Sequence, residues 1–271
     1  MDLNTVTEIG RPRGRGDLPP WRAGDAWLAG GTWLFSEPQP ELTRLVDLPT
    51  LGWPPLEVGA GRLRIGATCT LARLEAAALP AARRRRSASA AAPWSAPSRF
   101  ATPRPWAAIS AWRCPPRRWR RWRPRSTASA SSGHRGRRAP LPAAEFVLGP
   151  QRTALAPGEL LRAVDPPAAA LLRRAVLQRA SLTPLGRSAA LLIETVSPAG
   201  AFALTVTAAT RRPVRLDFPG LPVEAELRDG LDRAIPGTLY HDDAHGAPDW
   251  RRHMTHRLAE RIRRKLSLEE A

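Results

Sequence analysis

Between Arg83 and Arg138 the chain carries 16 arginines and not one aspartate, glutamate or lysine. Five of the ten tryptophans, Trp94, Trp106, Trp112, Trp119 and Trp122, fall in the same stretch. This break constrains the fold more than any other feature. A buried face needs apolar residues recurring at a helix or strand period, and neither period can be drawn from Ala81 to Pro140. Residues 81–140 are therefore expected to pack poorly or to be disordered, and the fold must be assembled from the flanks.

The flanks are ordinary. The chain of 271 residues has a formal net charge of +18, yet outside the arginine segment 26 basic residues face 24 acidic ones, a balance of +2. Its 43% hydrophobic residues suffice for a sizeable core. No apolar run approaches the roughly 18–20 residues of a membrane span, and Met1-Asp2-Leu3-Asn4 lacks the basic-then-apolar order of a secretory signal. Two cysteines, Cys69 and Cys114, are too few for a disulfide scaffold or a cysteine-held metal centre. A cytoplasmic protein without membrane association is expected.

Residues 26–35 read as a short strand running into a Gly-Gly turn, and Leu42–Leu48 as a second strand. Leu56-Glu57-Val58 and Leu63-Arg64-Ile65 alternate around Gly59-Ala60-Gly61, a hairpin signal. Thr70 is placed to cap a helix carrying Leu71 and Leu74. Order resumes at Leu141–Phe146. The last third is α+β in pattern, with strands over Ala189–Val196, Phe202–Val206 and Val214–Phe218. Pro222 suits the first turn of a helix with Val223, Leu227, Leu231 and Ile235 on one stripe. Asp249 suits the cap of a final helix that turns Trp250, Met254, Leu258, Ile262 and Leu266 inward, with Arg263, Arg264 and Lys265 in its last turn to suit the helix dipole.

Gly30-Gly31-Thr32 is the best chemical signal. Two glycines let the backbone approach a ligand and present successive N–H groups as an anion-binding nest, and a hydroxyl adds a donor. A pyrophosphate needs this arrangement. Taken alone, Gly-Gly is most often a turn, and neither the GxGxxG nor the GxxxxGK[ST] pattern is present. His241, Asp242, Asp243 and His245 read as a solvated loop before a metal site, His253 and His256 as surface or interface groups, and Cys69 as a packing residue. No catalytic acid, nucleophile or metal ligand is assigned.

The surroundings of the glycines add to this. Leu28-Ala29-Gly30-Gly31-Thr32-Trp33-Leu34 is followed by Leu45-Val46-Asp47-Leu48 and by Leu63-Arg64-Ile65-Gly66-Ala67-Thr68-Cys69-Thr70-Leu71. Glu145-Phe146, Gly149-Pro150-Gln151-Arg152-Thr153 and Pro157-Gly158-Glu159-Leu160-Leu161 come later, in order. The succession resembles the FAD-binding subunit of the molybdenum hydroxylases, the group of xanthine dehydrogenase, aldehyde oxidase and the carbon monoxide dehydrogenase medium subunit. The resemblance spans roughly residues 20–75 and 141–166, and more loosely reaches His245-Gly246, Trp250-Arg251-Arg252-His253 and the last helix. It implies an α+β protein. Residues 1–166 would form an FAD-binding domain of the vanillyl-alcohol oxidase/p-cresol methylhydroxylase type. Its two α/β subdomains would cover about 1–55 and 56–166, the second disrupted at 81–140. A C-terminal α+β domain would cover 167–271. It further implies FAD held by Ala29, Gly30, Gly31 and Thr32 at the pyrophosphate and by Ile65, Gly66 and Thr70 along the flavin. The partners implied are a molybdopterin-binding large subunit and a 2Fe-2S small subunit, with electrons leaving to NAD or another acceptor. Trp33 stands where the family commonly has Asp, and the second family motif, T-[IV]-G-G-N, is missing near residue 105.

Another reading frame supplies it. Lys265 is the only lysine and Asn4 the only asparagine, the mark of GC-rich coding DNA. Such DNA read out of frame yields mainly Arg, Ala, Pro, Ser, Gly and Trp. Joining the third base of each codon to the first two of the next, from the Phe100–Ala101 junction, permits R-N-A-T-x-V-G-G-N-L-C-L-A-L-P-A. From Arg118–Trp119 the same frame permits M-A-A-L-A-A-x-L-D-G-V-C-V-I-W, an apolar helix followed by a buried strand. Two compensating frame shifts, one between about residues 76 and 98 and one between about 133 and 141, account for the segment. Two other readings remain in view. One is a frame-shifted product with impaired or lost FAD binding. The other is a nucleic-acid-binding module in which Arg neutralises phosphates and Trp stacks on bases. The second leaves the recovered motif unexplained, so no nucleic-acid partner is expected.

Overall fold

Apolar runs in the first part of the chain are short, and glycine or proline closes most of them. The computed structural model describes residues 3–31, 34–35, 38–59, 62–77, 127–132, 138–150, 152–183 and 186–270. It has α+β architecture and divides into two compact units. The first gathers the described residues up to Ala168 other than 147–150; the second holds those four and everything from Ala169.

The first unit contains two sheets. Strands β1 (Glu8–Gly10), β2 (Asp25–Leu28) and β3 (Arg44–Asp47) are parallel, with β3 central. Arg44 and Asp25 are both buried in it. Arg44 Nε donates to Asp25 Oδ1 at 2.8 Å, and its Nη2 donates to the other carboxylate oxygen and to the Pro20 carbonyl. Burial pushes the Asp25 carboxyl up, but the hydrogen bonds from Arg44 and the Arg22 amide, with both charges, hold it below the usual aspartate range. A buried ion pair of this kind is costly to make and costlier to break.

The second sheet has the order β4-β5-β10-β6-β7, antiparallel throughout, from β4 (Leu56–Gly59), β5 (Arg62–Gly66), β6 (Thr127–Ser132), β7 (Arg138–Pro142) and β10 (Glu159–Asp165). The expected hairpin forms, with Gly59 opposite Arg62. Helix α1 (Leu71–Ala76) follows β5, capped as expected by Thr70, whose hydroxyl accepts from the Arg73 amide at 3.1 Å. Helix α2 (Ala143–Phe146) and the short strand β9 (Arg152–Thr153) precede β10, and the strand between them, β8 (Val147–Gly149), falls to the second unit.

Here one expectation is corrected. Residues 127–132 and 138–140, inside the stretch expected to be poorly packed, are strands, and β6 lies between β10 and β7. A ladder is made by backbone N–H and C=O groups, which every residue but proline carries. Thr127–Ser132 holds neither arginine nor proline. The expectation for 81–126 and 133–137 falls outside the described residues.

In the second unit, helix α3 (Ala168–Leu171) ends before an antiparallel meander of β11 (Arg174–Ser181), β12 (Ser188–Val196), β13 (Phe202–Thr207) and β14 (Val214–Phe218). Helices α4 (Glu224–Ala234) and α5 (Pro248–Glu270) pack on it, α4 over β14 and α5 over β12 and β11. Leu192, Leu204, Leu231 and Ile262 meet in the core between them.

The helix ends differ from expectation. Val223, not Pro222, precedes the first turn of α4, and its side chain is 60% exposed while Leu227, Leu231 and Ile235 are buried. Glu226 accepts from the Val223 amide, anchoring the chain entry without a side-chain cap at Val223. Pro248 opens α5, so Asp249 sits inside its first turn, and Arg263–Lys265 lie before the last turn because the helix continues to Glu270. The buried stripe of α5 is also rotated: Arg251 and Thr255 are buried with Leu258, Ile262 and Leu266, while Trp250 and Met254 lie at its margin.

Arg251 explains the rotation. Its Nε donates to the Gly246 carbonyl at 2.7 Å, its Nη1 to the carbonyls of Ala189 and Ala208 at 2.6 Å each, and its Nη2 pairs with Asp243. One guanidinium thus ties α5 to β12 and to the loop after β13, where Ala208 holds a left-handed φ of 65°.

Candidate functional site

The glycine turn after β2 is built on the parallel sheet. Trp27 and Ala29 are buried in a cluster with Val46, Leu48, Leu51 and Leu160, against which Trp53 packs. Trp21 stacks on Trp27 with ring centroids 4.7 Å apart. The Trp27 indole N–H donates to the Glu159 carbonyl at 3.2 Å, tying β2 to the start of β10. Past Ala29, Gly30 and Gly31 adopt φ of 103° and 70°. L side chains rarely occupy that region, so both positions require glycine. A Cβ on Gly31 would also lie 2.2 Å from the Phe35 ring. The Gly31 carbonyl accepts from the Phe35 amide at 2.9 Å, which closes the turn. Among the described residues, the Gly30 and Gly31 amides have no hydrogen-bond partner. Thr32 and Trp33 lie outside the described residues.

The second group of expected residues sits at the end of β5. Ile65 is buried and pairs with Val164 of β10. Gly66 is opposite Ala163, and a Cβ there would fall 2.6 Å from the Pro54 carbonyl oxygen. Only glycine lets the two backbones approach so closely. The Ala67 amide donates to the Arg162 carbonyl at 2.7 Å and the Cys69 amide to Gly66 at 3.0 Å. Thr70 spends its hydroxyl oxygen on the α1 cap.

Strand β10 joins the two groups. Leu160 packs with Ala29, Ala163 pairs with Gly66, and the Arg162 guanidinium lies over the Trp53 ring at 4.9 Å. Trp53 and Arg162 were not singled out from the sequence. The available signal was the apolar run Leu160-Leu161 behind Gly158, whose φ of 82° and close fit to Trp21 exclude a side chain.

Two titratable groups near these turns are shifted by burial. Burial pushes the Cys69 thiol up to about 11, so it stays protonated near neutrality and packs as a small apolar group. Burial also raises the Asp47 carboxyl, against the charge of Arg11. In the second unit, Asp243 is engaged by Arg251 and accepts from the His245 amide, so this loop residue is structural. Burial lowers the His241 pKa, against the attraction of Asp243.

The architecture of parallel sheet, antiparallel sheet and C-terminal meander has counterparts among solved structures. A chain of quinoline 2-oxidoreductase from Pseudomonas putida 86 superposes with a TM-score of 0.69 over 98% of this chain and 98% of its own, at 17% identity. A chain of carbon monoxide dehydrogenase from Hydrogenophaga pseudoflava gives 0.70 over 94% and 95%, at 19% identity. One from Oligotropha carboxidovorans carbon monoxide dehydrogenase gives 0.69 over 96% and 97%, also at 19%. The chain has their fold. No protein-family model matches the sequence, and neither does any curated protein sequence. Among the described residues no helix is long and apolar enough to cross a membrane.

Proposed function

We propose that this chain is the FAD-binding, electron-transferring subunit of a multi-subunit molybdenum hydroxylase. The observation that carries the reading is the pair of consecutive left-handed glycines, Gly30 and Gly31, in a chain that superposes over 94–98% of its length on quinoline 2-oxidoreductase and carbon monoxide dehydrogenase chains. Residues 1–166 form the FAD-binding domain in this reading, with two subdomains of the vanillyl-alcohol oxidase/p-cresol methylhydroxylase type, and 167–271 the C-terminal domain. The partners are a molybdopterin-binding large subunit and a 2Fe-2S small subunit, in the cytoplasm.

The residues present fit one half of the cofactor. The Gly30 and Gly31 amides suit a pyrophosphate oxygen, because a nest of successive N–H groups offers partial positive charge without a side chain in the way. Ala29 supplies backbone and Thr32 a hydroxyl at the same turn. Ile65, Gly66 and Thr70 line the flavin side, Gly66 by leaving the space a Cβ would take and Thr70 by fixing the start of α1. Bound FAD supplies the redox chemistry, taking electrons from iron–sulfur clusters and releasing them to NAD or another acceptor. The chain's own residues bind and orient; none is needed as acid, base or nucleophile. The second glycine loop that the resemblance implies is missing from this sequence and is permitted in the other frame. That absence favours a second reading, a frame-shifted product that binds FAD weakly or not at all.

The experiment is a comparison of two chains, one as it stands and one with residues 101–133 replaced by the other-frame reading. Flavin bound per chain is measured by absorbance after gel filtration with excess FAD. The replaced chain is expected to retain stoichiometric FAD; retention by the present chain as well supports the proposal, and loss from the present chain alone supports the second reading. A replaced chain that folds and retains no FAD overturns the proposal. Stoichiometric FAD on the present chain overturns the second reading.

A further inference from the structure

The second unit carries an open groove of about 460 Å³ between the end of β11 and α5. On the helix side Trp250, Met254, Arg257 and Arg261 line it, spaced four, three and four apart, so they form one stripe. Arg179 and Leu182 stand on the opposite bank, and Leu182 is 62% exposed. Among the described residues no aspartate or glutamate lines the groove. Arg257 and Arg261 are exposed, and among the described residues neither side chain takes part in an ion pair or hydrogen bond. Glu260, which follows Ala259 on the same helix, is taken by Arg263 and Arg264 at 2.7 and 2.6 Å.

We propose that this groove binds an extended acidic peptide segment of a partner protein, with an apolar side chain against Trp250 and Met254 and carboxylates at Arg257 and Arg261. The charge is complementary, and the apolar floor is of the kind interfaces use: tryptophan, arginine and methionine are enriched in them, and methionine adapts to the shape it meets. A small anion is not the better occupant. Each exposed guanidinium contributes little by itself, so an occupant must touch several at once. From Trp250 to Arg261 the stripe runs about 16 Å at 1.5 Å per residue. About five extended residues at ~3.3 Å each cover that length. The inference involves none of the glycine turns and stands apart from the cofactor reading.

The test uses the full chain and a fluorescein-labelled heptapeptide alternating glutamate and leucine, titrated by fluorescence anisotropy. R257E/R261E is expected to weaken binding on the order of tenfold, with unchanged circular dichroism. L182E, on the opposite bank, weakens it in the same direction. R211E/R212E carries the same charge change on exposed residues outside the groove and leaves binding unchanged. An all-glutamate peptide of equal length binds more weakly. Equal losses in both double variants, or binding untouched by R257E/R261E, overturn the proposal. So does a single-stranded RNA that binds more tightly than the peptide and is lost with R257E/R261E, which makes the groove a nucleic-acid site.

Discussion

Two interior strands of this molecule have the same backbone role and opposite side chains. β12, between β11 and β13, reads Ser-Ala-Ala-Leu-Leu-Ile-Glu-Thr-Val, and every residue from Ala189 to Thr195 is buried. β6, between β10 and β7, reads Thr-Ala-Ser-Ala-Ser-Ser. Both complete ladders on two sides. The pairing is indifferent to side chains, while the packing of a sheet face is not. β12 is specified twice, by its ladders and by the core that its leucines fill. β6 has the same kind of ladders, but its Ala and Ser residues offer little apolar surface to a core. In the other reading frame the residues from about 128 to 133 become V-C-V-I-W, which is what an interior strand ordinarily carries.

The largest test of that contrast is at Arg251. Arg251→Ala leaves Asp243 without its buried partner and strips donors from the carbonyls of Ala189 and Ala208. Each buried acceptor so stripped of its donor costs about 1–3 kcal/mol, and Asp243, which is exposed, adds little. Chemical denaturation followed by circular dichroism, with amide exchange on β12 as the local readout, is expected to show the loss in the second unit. A loss under about 1 kcal/mol would mean that the β12 core holds α5 without the guanidinium.

Leu192→Ala comes next. Leu192 is fully buried and faces the cluster of Leu204, Leu231 and Ile262. A leucine truncated in such a place costs about 2–5 kcal/mol, depending on how far the cavity collapses. Gly31→Ala should cost about 1–2 kcal/mol for the left-handed backbone, beyond the displacement of Phe35. On a chain with the replaced segment it should also weaken FAD, whereas Leu192→Ala should leave FAD affinity alone. Equal effects of the two on FAD would disconnect the glycine turn from the cofactor.

Acid separates the two units by a smaller margin. Burial lowers the His256 and His241 pKa values, against their aspartate neighbours, so their folded forms resist protonation. Stability linked to such a group is present above its ordinary value near 6.5 and declines as pH falls below it. Among the described residues all histidines belong to the second unit. The lowered Asp25 carboxyl of the first unit has the same sign, but its window opens only below about pH 4. Amide exchange between pH 7 and pH 5 is therefore expected to loosen β12 and β13 before β2 and β3. The reverse order would remove the histidines as the cause.

Much of this was legible in the chain. The Gly-Gly turn, the hairpin over 56–66, the Thr70 cap and the three strands after Ser188 follow from period and punctuation, because each unites local propensity with a buried face. β1 has only three residues, β10 mixes Arg162 with Glu159 and Asp165, and Gln178 and Arg179 break the apolar run of β11, so neither period stands out. Arg251 was hidden for another reason. An arginine on an amphipathic helix reads as solvent-facing, although Arg251, Thr255, Leu258 and Ile262 lie at helical spacing on one stripe. What buries it is four acceptors brought together by distant parts of the chain. The candidate site has the same character: the two glycine turns were readable, but the strand that joins them, with Arg162 over Trp53, depends on tertiary pairing.

The smallest effect addresses β6 directly. Ala130 is opposite Leu161 of β10 and Ala139 of β7, in the middle of the sheet. If β6 lacks only side chains suited to its place, Ala130→Val should stabilise the first unit by up to about 1 kcal/mol, the span of strand propensities measured in a host sheet. The same exchange at Ala190 of β12, which is fully buried in a filled core, should destabilise by about 1–3 kcal/mol through overpacking. Opposite signs at two interior strands would show that the ladders of β6 were in place before its side chains suited them. Destabilisation at both would mean that Ala and Ser at β6 are matched to their neighbours, and the frame-shift account of that strand would fail with it.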